Sequence, residues 1–131
     1  KNKDLLTEVI QEFKRNNIRT SLFVDPDLTM VEAAKITGTD RIELYTEHFA
    51  HQYGLGNHSG IQPYVEAAVL ANQLGLGINA GHDLSLDNLK YFAENIPNLL
   101  EVSIGHALIS EALYLGLENT VQAYLKRLAT W

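Results

Sequence analysis

The chain has 131 residues and 46% apolar content, enough for one globular domain with its own core. Its formal charge of -6 excludes a phosphate-backbone binder, so nucleic acid is not an expected partner. With no cysteine it can form neither disulfides nor a thiolate zinc site, which suits a cytoplasmic location. No apolar run approaches the roughly 20 residues of a membrane span, and KNKDLLTEVI lacks a signal peptide's apolar stretch.

Asp4 to Asn16 carries Leu5, Leu6, Val9, Ile10 and Phe13 at the spacing of one helical face, with charges opposite. The chain opens on a lysine inside this pattern, which points to a piece of a longer polypeptide. Ile18 to Val24 (IRTSLFV) is an apolar, β-branched run ending at Asp25-Pro26-Asp27 and reads as a strand entering a turn. Thr29 to Thr37 reads as a helix, with Thr29 as a candidate N-cap and Gly38 as its stop. Arg41 to Thr46 (RIELYT) is the second strand, and alternation puts Glu43 opposite Ile42 and Leu44.

Glu47 to Gly60, rich in Gly, His and Asn, reads as a polar loop. Its three histidines, His48, His51 and His58, are expected in solvent rather than around a metal. Ile61 to Leu74 is a helix with Pro63 in its first turn and Gly75 at its end. Leu76 to Asn79 is the third strand, and Ser85 to Asn95 a capped helix that Pro97 stops. Leu100 to Ile104 is the fourth strand. Leu108 to Leu115 forms a short helix, and Glu118 to Leu128 a closing one, split from it by Gly116. Alternation of this kind implies right-handed crossovers and a parallel sheet. Four strands cannot close a barrel, since the (β/α)8 fold needs eight and typically about 250 residues. The chain therefore reads as half of one, or as a small open sheet.

Two strands end in a Gly-His pair, within GLGINAGHDL and VSIGHALIS. In parallel α/β folds ligands bind at this end of the sheet, because loops and helix N-termini converge there. His82 is thus a candidate acid or base near neutral pH, with a packed histidine under a loop as the alternative. Glu43 is a carboxylate within an apolar strand, which needs a partner, a site or solvent to justify it. Gly105-His106 precedes a short helix, whose free N–H groups could cradle an anion; a turn chosen only for packing is the alternative. Gly75 to Ala80 formally fits the dinucleotide fingerprint but precedes its strand instead of following one, and is set aside.

The segments SLFVDPD, RIELYT, LGLGINAGHDL and EVSIGHALISEAL together resemble the pyridoxine 5′-phosphate synthase family of vitamin B6 biosynthesis. The likeness runs from about Leu5 to Leu128, and NAGH followed by IGHALI is its most specific part. The resemblance implies that residues 1–131 are the C-terminal half of a single (β/α)8 TIM-barrel domain, strands five to eight. It also implies a reaction between small phosphorylated substrates. In it, 3-amino-2-oxopropyl phosphate condenses with 1-deoxy-D-xylulose 5-phosphate to give pyridoxine 5′-phosphate, inorganic phosphate and water, with neither metal nor organic cofactor.

By position, His82 matches the family's proton donor and Glu43 its transition-state-stabilising carboxylate. Gly105 and His106 match its contact to the aminooxopropyl phosphate. Asp83 stands where many members have a substrate-touching glycine, and Tyr45 and Glu47 also depart from the common pattern. The family's general bases, a His and a Glu, and a phosphate-binding Arg belong to the N-terminal half, so this chain alone is expected to be inactive. Exposed strand edges should drive it into a homo-oligomer or onto that half. Another phosphate-handling TIM-barrel enzyme and a non-catalytic phosphate-binding half-barrel are the competing readings.

Overall fold

The computed structural model describes residues 2–129. Four strands, β1 (Ser21–Val24), β2 (Arg41–Tyr45), β3 (Gly77–Gly81) and β4 (Leu99–Ser103), form one sheet in the order β1-β2-β3-β4, every pair parallel. Seven helices flank them: α1 (Lys3–Arg15), α2 (Leu28–Thr37), α3 (Glu47–Gly54), α4 (Gln62–Gln73), α5 (Leu89–Asn95), α6 (His106–Leu115) and α7 (Leu117–Leu128). Consecutive parallel strands joined by helices, with α6 inserted before the last helix, make half of a (β/α)8 arrangement. No helix among the described residues is long and apolar enough to cross a membrane.

The sheet's two faces differ chemically, and the register shows how. Leu22, Ile42 and Ile78 align on one face, as do Val24, Leu44 and Ala80. This face packs on Val31, Ala34, Tyr64, Phe92 and Leu89, and Ala67, Ala68 and Ala71 let α4 approach it closely. The opposite face carries Phe23, Glu43, Asn79 and Glu101 in one row, flanked by Arg41 below and by Tyr45, Gly81 and Ser103 above. Arg41 ties this row together: Nη1 donates to Asn79 Oδ1 at 3.1 Å and meets Glu101 Oε1 at 2.9 Å. Arg19 reaches the same carboxylate at 3.4 Å, and Asn79 Nδ2 donates to Glu101 Oε2 at 3.3 Å. The hydrogen bond from Arg41 holds the Glu101 carboxyl below the usual carboxylate range.

The second face lies open, with Phe23 56% exposed at its β1 edge. Parallel sheets are ordinarily covered on both faces, and in barrels the inward side chains interleave in layers. A polar, open inner face is what half of such a barrel presents.

Several element boundaries differ from the sequence reading. The segment Glu47 to Gly60 is not a loop: α3 and a 3₁₀ turn at His58–Ile61 occupy most of it. Phe49 and Tyr53, one helical turn apart, bring α3 onto Tyr64, Tyr91 and Phe92. Helix α2 is capped by Asp27 rather than Thr29; Asp27 Oδ1 accepts from the Thr29 and Met30 amides at 2.8 and 3.1 Å. Gly38, at φ 82°, ends α2 as expected. β1 starts at Ser21, not Ile18, and β3 runs on to Gly81. β4 starts one residue early, at Leu99, because a register irregularity skips Leu100. Ser85 to Asn88 forms a turn before α5, in which the Ser85 amide donates to Asn88 Oδ1 at 2.9 Å. Helix α6 begins at His106, two residues before the expected start.

Tyr64 joins the helical layer to the end of β2. Fully buried, its hydroxyl donates to the Tyr45 carbonyl at 3.0 Å and accepts from the Phe49 amide at 3.3 Å. Burial pushes its pKa from 10.0 up to about 12. A pKa raised by folding stabilises the folded state below the unfolded value, and that contribution is lost as pH climbs from 10.0 through about 12. Tyr64→Phe is therefore expected to flatten the alkaline limb of a stability-versus-pH curve over this range. At neutral pH it should cost about 1–3 kcal/mol, since two buried backbone groups lose their partner. Denaturant titrations of both proteins across the pH range measure both effects, and parallel alkaline limbs would contradict the assignment.

Candidate active site

An open cleft of about 500 Å³ lies at the carboxyl ends of β3 and β4, lined by His82, Asp83, Leu84, Ser103, Gly105 and His106 among others. His82 and the Gly105-His106 pair thus meet in one cavity, at the end of the sheet where parallel folds place their ligands.

The loop that delivers His82 is held in a strained form. His82 and Asp83 both adopt positive φ, 89° and 58°. Such conformations cost non-glycine residues on the order of 1–3 kcal/mol each and persist only where the surroundings over-determine them. Three residues absent from the sequence-based site do this here. Thr46, fully buried, donates its amide to the Gly81 carbonyl at 2.9 Å, and its Oγ1 reaches both that oxygen and the His82 carbonyl. Asn88 Nδ2 donates to the Asp83 carbonyl at 3.1 Å, and Leu84 plugs the core beneath. The third, Tyr64, fixes the end of β2 from which Thr46 projects. All three bind backbone groups, so no local pattern announces them; only Ser-x-x-Asn at Ser85 to Asn88 hinted at a structured turn.

The imidazole of His82 meets the Tyr45 ring edge-on, centroids 4.7 Å apart, and Tyr45 in turn packs on Phe23. Desolvation, with smaller contributions from Glu47, Asp83 and Asp25, raises the Tyr45 pKa above its ordinary value. His82 Nδ1 lies 3.3 Å from Asp83 Oδ2.

Glu43 is not among the residues lining the cleft, but its carboxylate lies directly over Gly81, one residue before His82. A Cβ at position 81 would sit 2.6 Å from Glu43 Oε1 and 3.0 Å from Ser103 Cβ. Gly81 is thus a glycine because the carboxylate occupies its side-chain space. On the far side of the cleft, Gly105 precedes α6 and no side chain caps that helix. The amides of its first turn have no intrahelical acceptor and open onto the cleft that Gly105, His106 and Ala107 line. The positive end of the helix dipole adds to their attraction for an anion.

Residues 1–130 match the family described as pyridoxal phosphate biosynthesis protein PdxJ. The chain belongs to the PdxJ family. Among curated PdxJ-type relatives it is similar to pyridoxine 5′-phosphate synthase from Flavobacterium johnsoniae, 76% identical over 128 residues that cover 98% of this chain and 54% of the relative. Proteins of the same name from Christiangramia forsetii and Porphyromonas gingivalis are 66% and 57% identical, again over 98% of this chain and 54% of theirs. This PdxJ chain therefore spans about half the length of the relatives it matches.

Proposed function

We propose that this chain is the C-terminal half of a cytoplasmic pyridoxine 5′-phosphate synthase. In the complete enzyme, 3-amino-2-oxopropyl phosphate and 1-deoxy-D-xylulose 5-phosphate condense to pyridoxine 5′-phosphate, inorganic phosphate and water. The observation that carries this reading is the meeting of His82 and the Gly105-His106 amides in one cleft, within a chain 76% identical to a protein of that name. His82 donates a proton during the condensation, and Glu43, beside it over Gly81, stabilises the positive charge that develops as the amine and carbonyl combine. The amides at the start of α6 hold the phosphate of the aminooxopropyl substrate. Asp83 touches the same substrate through its backbone. General bases and a phosphate-binding arginine come from the N-terminal half, which covers the open face of the sheet.

The test is complementation. The chain is co-expressed with the N-terminal half of the Flavobacterium johnsoniae relative, the two substrates are supplied, and pyridoxine 5′-phosphate is assayed. Neither half alone is expected to turn over, since general acid–base catalysis contributes about 10²–10⁴-fold and positioning more. The co-purified pair should regain activity. Turnover by this chain alone, or a stable pair without turnover, would overturn the proposal. The pair is further expected to assemble beyond one copy of each half, which its mass in solution reads directly.

A further inference from the structure

We propose that the Asp83 side chain is a positioning residue for His82, keeping the neutral imidazole's proton on Nδ1 so that Nε2 is the nitrogen presented to a ligand. The inference rests on the reading of His82 as the group that works on the substrate, and adds to it a residue with no assigned side-chain role.

The starting observation is the 3.3 Å approach of Asp83 Oδ2 to His82 Nδ1 between two consecutive residues at positive φ. Neighbouring side chains in an extended or helical stretch point apart. Here the left-handed pair of conformations brings both onto one side, where both line the cleft. Such a backbone is costly for aspartate and free for glycine. A carboxylate retained at this cost, and fixed by the Asn88 bond to its own carbonyl, has work that glycine could not do.

The chemistry of an imidazole says what that work is. Which nitrogen carries the proton is set by the partner of the other one. Tyr45 packs against the ring and limits its rotation, but an aromatic edge does not choose between the nitrogens. The Asp83 carboxylate does, because it only accepts, and a proton on Nδ1 faces it favourably. At 3.3 Å the approach is longer than a strong charge-assisted bond. Catalytic contacts of this kind are commonly long before substrate binds and shorten with it.

The same pairing fixes the donor nitrogen. With Nδ1 facing Asp83, the proton that His82 gives up in the proposed condensation is the one on Nε2 of the protonated ring, and its loss returns the imidazole to the Nδ1–H tautomer.

The experiment uses Asp83→Gly, which removes the carboxylate while accommodating φ 58° without strain, and Asp83→Asn, which keeps an acceptor oxygen in place. The chain is labelled with 15N at histidine, and the His82 tautomer is read by NMR at pH roughly 9, where imidazoles are neutral. The proton is expected mainly on Nδ1 in the parent, to move to Nε2 in Asp83→Gly, and to remain largely on Nδ1 in Asp83→Asn. In the complemented synthase, Asp83→Gly should lower kcat about 10- to 100-fold with KM within about twofold, and Asp83→Asn should recover most of the loss. An unchanged tautomer in Asp83→Gly overturns the proposal. So does a shifted tautomer accompanied by a change in KM alone. The tautomer is read on the chain itself without any turnover, so a failed complementation would count against the proposed reaction and leave the His82–Asp83 pair to be judged by the spectrum.

Discussion

His82→Asn in the complemented synthase is expected to lose about 10²–10⁴-fold in kcat, the usual range for removing a positioned general acid. Asparagine is chosen because His82 sits at φ 89°, a region that asparagine tolerates better than other non-glycine residues. The variant keeps its carbonyl for the Thr46 hydroxyl and leaves the α6 amides untouched. Folding and phosphate affinity should therefore change little while the chemical step slows. Steady-state kinetics with both substrates separate the two: a large drop in kcat at near-constant KM is the signature of an interaction made mainly in the transition state. A His82→Asn synthase within a few-fold of the parent would remove His82 from the mechanism and transfer the proton-donor role to another group in the cleft, with His106 the first to test.

Gly81→Ala is expected to damage both fold and activity, through one methyl group. Its Cβ would lie 2.6 Å from Glu43 Oε1, 3.0 Å from Ser103 Cβ and 3.1 Å from the Ser103 carbonyl oxygen. The carboxylate can swing aside, but the β4 backbone cannot without breaking the β3–β4 ladder that pairs Gly81 with Ser103. Overpacking of this kind costs about 1–3 kcal/mol, visible as a lower denaturation midpoint. Displacing Glu43 should in addition reduce turnover by at least the order of magnitude expected when one electrostatic contact is misplaced. Gly54, at the end of α3, provides the contrast: nothing lies within 4 Å of a Cβ there, so alanine should be neutral or stabilising by up to about 1 kcal/mol. Equal effects at the two positions would mean that Gly81 is not fitted around Glu43.

The parts of the structure legible in the sequence are those with a local cause. Alternating helix and strand patterns placed all four strands and the parallel order, because each strand is a short apolar run bounded by turn residues. The two Gly-His pairs marked the cleft, because strand ends are where side chains leave the pleat for the loops. Glu43 was found from its charge, but its place over Gly81 depends on the lateral register of β2 against β3, which no single strand reveals.

Helix α3 was missed because its composition is polar and rich in histidine; the signal present was the pair Phe49 and Tyr53, one turn apart and both packed inward. Thr46, Tyr64 and Asn88 escaped for another reason. They act on main-chain groups, which lie far along the chain for Thr46 and Tyr64 and within one turn's loop for Asn88, and any threonine, tyrosine or asparagine offers the same atoms. The Arg41–Glu101 pair joins strands that are not even neighbours in the sheet, so it exists only once β3 lies between them.

The Arg41, Asn79 and Glu101 row has a practical consequence. A seam faced with leucine and valine would stick to whatever it met before finding its counterpart. One faced with an ion pair and an amide tolerates water until the match arrives, which leaves Phe23 at the β1 edge as the apolar part of that face to be covered. Fusing this chain and its proposed complement to two interacting proteins would make the reaction proposed for the pair a growth-based reporter of their encounter in a B6 auxotroph.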